Sequence, residues 1–168
     1  LIEKFKNNEN IKIINQLDNN NFFDLIIAAD VIEHIENDDA ILKYLSNLLN
    51  KNGQIILTVP AYNFLYSSKD KILHHNRRYN KKKLQNLVKR YFEIIKLSYY
   101  NFFLFIPLAL SILFLKLFRV NFINSVETKP NRIINEFLFM IFNMEKHLLK
   151  LFNFPFGLSL IVIAKKIK

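Results

Sequence analysis

Phe22-Phe23-Asp24-Leu25-Ile26-Ile27-Ala28-Ala29-Asp30-Val31-Ile32-Glu33-His34-Ile35 is a short apolar run, entered by an acid and left through a polar corner of carboxylates and an imidazole. The run Phe23–Ala29 has the length and apolar character of a buried strand. Residues 52–60, Asn-Gly-Gln-Ile-Ile-Leu-Thr-Val-Pro, repeat the scheme, with a turn at Gly53 and a buried strand over residues 55–59. Between them, residues 38–50 place Ile41, Leu42, Leu45, Leu48 and Leu49 on one helical face, and Asp38 and Asp39 complement the positive helix start. Gly53 then follows the helix end as a turn residue. The whole predicts a strand–helix–strand unit of a parallel sheet. Ligands of open sheets sit beyond the carboxyl ends of the strands, which is where Asp30, Glu33 and His34 fall.

Outward from this unit, residues 11–17 predict a further strand, followed by a polar turn over residues 18–21. Residues 61–80 read as a long loop rich in Tyr, Ser, His and Arg; loops of that length inside a compact domain are usually functional or disordered, and the aromatic and imidazole content argues against disorder. A helix over residues 81–92 and a strand over residues 93–100 come next. The stretch 102–118 is apolar apart from Ser111 and Lys116, contains Pro107, and has an uninterrupted part shorter than the roughly 20 residues of a spanning helix. It reads as a membrane-surface element or a buried helical cap. Residues 131–152 give a helix with a wide apolar face (Ile134, Phe137, Leu138, Ile141, Phe142, Met144, Leu148), and residues 158–164 a last strand.

With 168 residues and half of them apolar, one domain with a sizeable core is expected. The chain has no cysteine, so disulfides and thiolate metal sites are excluded. A formal charge of +10 suits an anionic partner, but a solvated basic surface accounts for it first. The basic residues form no single stripe with exposed aromatics, so no nucleic acid partner is expected.

The corner Asp30-Val31-Ile32-Glu33-His34-Ile35 and the strand after Gly53 resemble the class I S-adenosylmethionine-dependent methyltransferases, in the group with an Asp-Val-x-Glu-His pattern after the fourth strand. The resemblance runs on through Val59-Pro60-Ala61-Tyr62, Asp70, the block His74-His75-Asn76-Arg77-Arg78-Tyr79, Tyr100-Asn101-Phe102-Phe103 and Pro155-Phe156-Gly157-Leu158-Ser159. It implies a Rossmann-like α/β sandwich with a mostly parallel sheet, an antiparallel last strand at a mixed edge, and residues 102–154 as a helical insertion or cap before that strand. It also implies S-adenosyl-L-methionine as cofactor. Family members hold that cofactor with an acidic-x-Gly-x-Gly loop after their first strand. Gly53 and Gly157 are the only glycines here, so the loop is not in this sequence, and with Leu1 as first residue the chain reads as the N-terminally truncated, C-terminal part of one methyltransferase domain. Such a fragment is expected to be inactive alone.

Position by position, the resemblance places Gln16, Leu17 and Asp18 beside the adenine, and Ala28, Ala29 and Asp30 at the methionine end. Glu33 and His34 would stand near the transferred methyl and the acceptor. Methyl transfer from a sulfonium asks the protein to align the acceptor and handle one proton. A histidine suits the proton step, with His34 the first candidate base, then His74 and His75. The structural alternative is that His34 and Glu33 cap the approach to the next helix by bonding backbone. His74 and His75 as neighbours on an extended segment point opposite ways, and no Cys or clustered acid adjoins them in sequence, so no metal is expected. Arg77 and Arg78 either clamp a phosphate or carboxylate of the acceptor as part of a lid, the reading adopted, or pin the loop to Asp70 or a helix acid. Tyr62 and Tyr79 line an acceptor pocket or pack under the loop.

The reading as a whole is methyl transfer to a small-molecule or lipid-linked acceptor by the full-length protein, in the cytoplasm or at the inner face of the membrane, with peripheral membrane contact through residues 102–118. The alternative from another class is a non-catalytic membrane-associated or partner-binding module on a degenerate methyltransferase scaffold. A nucleotide-sugar or quinone enzyme sharing the scaffold stands third.

Overall fold

The computed structural model describes residues 22–118 and 131–167. The expected strand over residues 11–17, with Gln16, Leu17 and Asp18, lies outside them. Among the described residues four strands form one sheet: β1 (Phe23–Ala29), β2 (Leu49–Pro60), β3 (Phe92–Tyr100) and β4 (Ser159–Lys166), in the order β1-β2-β4-β3. β1 and β2 are parallel, and β4 runs antiparallel to both β2 and β3. The antiparallel last strand is therefore present but not at an edge. It slots between β2 and β3, where Leu160, Val162 and Ala164 are buried and both sides of its backbone are paired.

β1 has the predicted bounds, whereas β2 begins earlier than the sequence suggests. Phe23 pairs with Leu49 but Leu25 pairs with Gln54, so the residues between Leu49 and Gln54 bulge out of the ladder. Gly53 sits in that bulge and not in a helix-ending turn. A Cβ there would come within 2.9 Å of both the Phe23 carbonyl oxygen and the Leu49 side chain, so close backbone approach explains the glycine.

Among the described residues five α-helices join the strands: α1 (Asp38–Asn47), α2 (Ser68–Ile72), α3 (Lys81–Val88), α4 (Phe105–Leu117) and α5 (Arg132–Leu151). α1 starts where the Asn37 side chain accepts the Ala40 N–H at 2.9 Å, and α3 where Asn80 accepts from Lys83 at 2.7 Å. Leu42 of α1 and Leu84, Leu87 and Val88 of α3 join Ile55, Leu57, Val59, Leu160, Val162 and Ala164 in the core on one sheet face. On the other face, Leu25 and Ile27 remain exposed, at 48% and 64%, among the described residues.

The helix α4 is not the buried cap that is one of two alternatives for residues 102–118, and α5 is as open. In α4 Ala109 is the one buried residue, and in α5 it is Glu145, whose carboxylate accepts the Phe102 N–H at 3.1 Å. The apolar face predicted for α5 is largely open: Ile134, Phe137, Phe142 and Met144 are all exposed. No helix among the described residues is long and apolar enough to cross a membrane.

Candidate active site

β1 ends at Asp30, whose φ of 52° lies in the left-handed region that Asp tolerates better than branched residues do. Thr58 of β2 fixes this turn. Its carbonyl and its Oγ1 both accept the Asp30 N–H at 3.1 Å, and Oγ1 donates to Asp30 Oδ1 at 3.2 Å. Ala29 and Asp30 are thereby left exposed at the carboxyl edge of the sheet, with Ala28 buried beneath them. The chain then makes one 3₁₀ turn, Ile32–His34, in which Ile32 plugs the core, Glu33 is wholly buried and His34 is exposed.

Glu33 is the unusual member. Both carboxylate oxygens are inaccessible, and neither meets a donor in hydrogen-bonding geometry. Burial pushes its carboxyl up to about 7 against the opposing pull of its own backbone amide, the Asp30 carboxylate adds to the rise, and His75 works against it. Neither Glu33 nor His34 caps the following helix, since Asn37 fills that role.

Residues 61–80 fold into a pinned structure built around Asp70, not an open loop. Asp70 caps its own short helix, accepting from the Ser67 N–H at 2.8 Å and the Ser67 hydroxyl at 3.1 Å. Arg78 forks onto it through Nε and Nη2 at 2.8 and 3.0 Å, and His75 Nδ1 lies 2.9 Å from Asp70 Oδ1. Burial would raise this carboxyl, but Arg78, His75 and the Ser67 amide outweigh it and hold it below the usual carboxylate range. With Asp70 a carboxylate, His75 Nδ1 carries the hydrogen. Asn76 ties the loop to the corner: its N–H donates to the Glu33 carbonyl and its Nδ2 to the His34 carbonyl, each at 2.8 Å.

The expected lid residues are held from inside. Arg77 pairs with Asp38 at 3.0 Å and donates to the Glu36 carbonyl at 2.7 Å, while Arg78 is committed to Asp70 and the Ala61 carbonyl. Tyr79 is fully buried with its hydroxyl donating to Asp38 at 2.9 Å, the under-loop packing alternative. Tyr62 is half-buried, at φ 60°, and stacks on Tyr99 with ring centroids 5.3 Å apart, between Phe64 and Phe105. Burial raises its phenol, with Tyr99 adding to the rise.

Of the candidate histidines, His74 is exposed and outside the cluster, whereas His75 turns inward so that its ring meets His34 edge-on at 4.7 Å. His75 finds its acid in Asp70, five residues earlier. One ligand atom each of Glu33, His34 and His75 lie within 4.8 Å of one another. Sequence reasoning did not single out three residues that shape the corner, Thr58, Asn76 and Tyr100, and it named Asp70 only as an alternative anchor for the Arg pair, the role it has with Arg78. Asn76 and Tyr100 stand in the quoted motif blocks, which was the available signal. Tyr100 is raised by burial and by the nearby Asp30 and Glu33 carboxylates, which places its phenol beside the same corner.

A sheet of this topology with an acid–imidazole corner at its carboxyl edge defines a Rossmann-like α/β protein. A family model described as methyltransferase domain matches residues 2–100, and the chain belongs to that family. No curated protein matches it with significance. Among solved structures it is similar to a Haemonchus contortus phosphoethanolamine N-methyltransferase 2 in complex with S-adenosyl-L-methionine, at 16% identity and a TM-score of 0.45 over 87% of this chain and 34% of that one. It is also similar to the N-methyltransferase NodS of Bradyrhizobium japonicum WM9 with S-adenosyl-l-homocysteine, at 8% identity, TM-score 0.44, and 91% and 50% of the two chains. The [4+2]-cyclase SpnF matches at 16% identity, TM-score 0.47, and 87% and 51%. The chain thus spans between about a third and about half the length of these structures.

Proposed function

We propose that this chain forms the acceptor-facing part of an S-adenosylmethionine-dependent methyltransferase that, as the full-length protein, modifies a small-molecule or lipid-linked acceptor. The observation that carries the reading is the convergence of Glu33, His34 and His75 beside Asp30 at the carboxyl edge of the sheet, in a chain of the methyltransferase-domain family. The donor set suits the cofactor: Ala28 and Ala29 keep the end of β1 slim, and Asp30 offers an exposed carboxylate for a cationic group. When bound, S-adenosylmethionine supplies an electrophilic methyl group.

The chain's own residues then hold the acceptor and take its proton. His34, exposed at the mouth of the corner, is the base of this proposal, receiving the proton on a ring nitrogen as the acceptor atom becomes nucleophilic. Glu33 lies behind it, and the Asp70–His75 pair fixes the opposite wall. Tyr62 and its aromatic neighbours Phe64 and Phe105 flank the loop and favour an apolar acceptor body. Transfer from labelled S-adenosylmethionine into small-molecule and lipid fractions tests the reading with full-length protein. His34→Ala should abolish turnover and leave S-adenosylhomocysteine affinity unchanged; unaltered turnover would remove His34 from the chemistry.

A lipid-linked acceptor is favoured by the open apolar sides of α4 and α5. Leu110, Phe114, Leu117, Phe137, Phe139 and Met140 are exposed alongside Lys116, Lys146 and Lys150. Such a surface suits an anionic bilayer. Salt-sensitive co-sedimentation with anionic liposomes is the expected result, and purely soluble behaviour would count against it.

A further inference from the structure

A wholly buried carboxylate with no donor on either oxygen is costly unless a proton or another cation completes it. Glu33 is such a group, and it does not stand alone: one ligand atom from each of Glu33, His34 and His75 falls within a 4.8 Å span. The two imidazoles come from segments that Asn76 ties together, so the cluster is a fixed feature of the corner and not a chance meeting of loop ends. His75 is prepared in a further way. Its Nδ1 bonds the buried Asp70 carboxylate, so Nε2 is left with its lone pair free. Carboxylate–histidine pairs of this kind orient metal-ligating imidazoles and raise their basicity.

We propose that Glu33, His34 and His75 bind a divalent transition-metal cation. The donor set of one carboxylate oxygen and two imidazole nitrogens suits Zn²⁺ or a neighbouring ion such as Co²⁺, and suits Mg²⁺ and Ca²⁺ poorly, since those prefer all-oxygen shells. Ligand bonds of about 2.1 Å set ligand atoms about 3.4 Å apart in a tetrahedral shell, so side-chain rotations that close the widest 4.8 Å separation by about 1.4 Å complete the site. The cation would offset the buried charge of Glu33. Because His34 opens to solvent, at least one coordination position faces outward.

The inference deepens the proposed methyl transfer, and in its functional part rests on it. With the cation bound, His34 is a ligand and not a free base. An acceptor hydroxyl placed on the open position then releases its proton to solvent water at the exposed His34 side, because coordination lowers its pKa. The implied acceptor class is a hydroxyl or enol.

The test reads metal directly, so its failure is separate from failure of the methyl-transfer reading. Intact protein, stripped with chelator, is titrated with ZnCl₂ by calorimetry, and with CoCl₂ by visible absorption. One equivalent of Zn²⁺ at micromolar or tighter affinity is expected, with a Co²⁺ spectrum showing nitrogen and oxygen coordination. Glu33→Gln and His75→Ala should each weaken binding at least 100-fold, and Asp70→Asn by about 10- to 100-fold through the second imidazole nitrogen. His147→Ala, an exposed histidine on α5, should change nothing. Glu33→Gln keeps the shape of the side chain and removes a buried charge, so it remains informative where His75→Ala folds poorly. No stoichiometric binding by the wild type, or equal binding by Glu33→Gln, overturns the proposal.

Discussion

Arg78 grips Asp70 through two parallel hydrogen bonds, Nε to Oδ1 at 2.8 Å and Nη2 to Oδ2 at 3.0 Å, with the acid 1% exposed and the guanidinium 13%. The pair holds the start of α2, His75 and the end of the loop at one point. Breaking a buried pair from one side leaves an uncompensated charge and typically costs about 3–5 kcal/mol. Arg78→Ala should therefore destabilise the fold by that order in urea unfolding. Arg78→Lys should recover less than half of the loss, because an ammonium cannot supply the planar fork. A full rescue by lysine would mean that net charge, not geometry, holds the loop.

Asn76 is the stitch between the pinned loop and the polar corner, with its N–H on the Glu33 carbonyl and its amide on the His34 carbonyl. Asn76→Ala removes the side-chain bond and keeps the backbone one, so it should cost only about 1 kcal/mol of stability. Its effect on turnover should be larger, on the order of tenfold or more, since a small displacement of His34 spoils alignment with the acceptor. Parallel unfolding and kinetic measurements on the full-length protein separate the two. Equal and small losses in both would show that His34 is positioned without it.

The polar corner was legible where its members are neighbours in sequence and illegible where they are not. Phe23–Ala29 reads as a strand because nothing in it competes with β structure, and Asp30, Glu33 and His34 follow directly. The Arg78 pin on Asp70 is among the alternatives the sequence offers, but the approach of His75 and Asn76 to Glu33 and His34 joins residues about forty positions apart, a long-range event that no local pattern announces. The same holds for β4, whose apolar run predicts a strand but not its place between β2 and β3. The apolar residues of α4 and α5 leave two surroundings open, a surface element or a buried cap. Periodicity shows which side chains share a face, and it does not say what covers them.

Glu33 gives the metal-free protein a distinct pH dependence. Its folded pKa is raised from 4.5 to about 7, so the folded state prefers the protonated form. The stability it contributes is fully present below 4.5 and is lost as pH rises through 7, amounting to something on the order of 3 kcal/mol. Asp70 acts in the opposite sense. Its pKa is held below the ordinary 3.8, so its contribution is present above that value and lost in stronger acid. Chelator-treated wild type should therefore lose stability between about pH 4.5 and 7. Glu33→Gln should flatten that slope without altering the acid limb. An unchanged slope in the variant would assign the neutral-range titration to another group.

Gly157 supplies the last and most local prediction. It precedes β4, and a Cβ on it would run into the backbone of Tyr100, the carbonyl oxygen most closely, at a contact no side chain can relieve by rotating. Its φ is not in the left-handed region, so the constraint is space and not backbone conformation. Tyr100 is the last residue of β3 and its phenol stands beside Asp30 and Thr58, so pushing its backbone away shifts the sheet edge on which the corner is built. Gly157→Ala should cost about 1–3 kcal/mol as an overpacking change, and should lower turnover of the full-length protein more than a matched destabilisation elsewhere. Gly53→Ala is the control away from the site. Its Cβ would meet atoms less closely than at Gly157, at 2.9 Å, in the bulge near the start of β2, remote from the carboxyl edge. If the two variants lose activity in equal proportion to stability, the link from Gly157 through Tyr100 to the corner is absent.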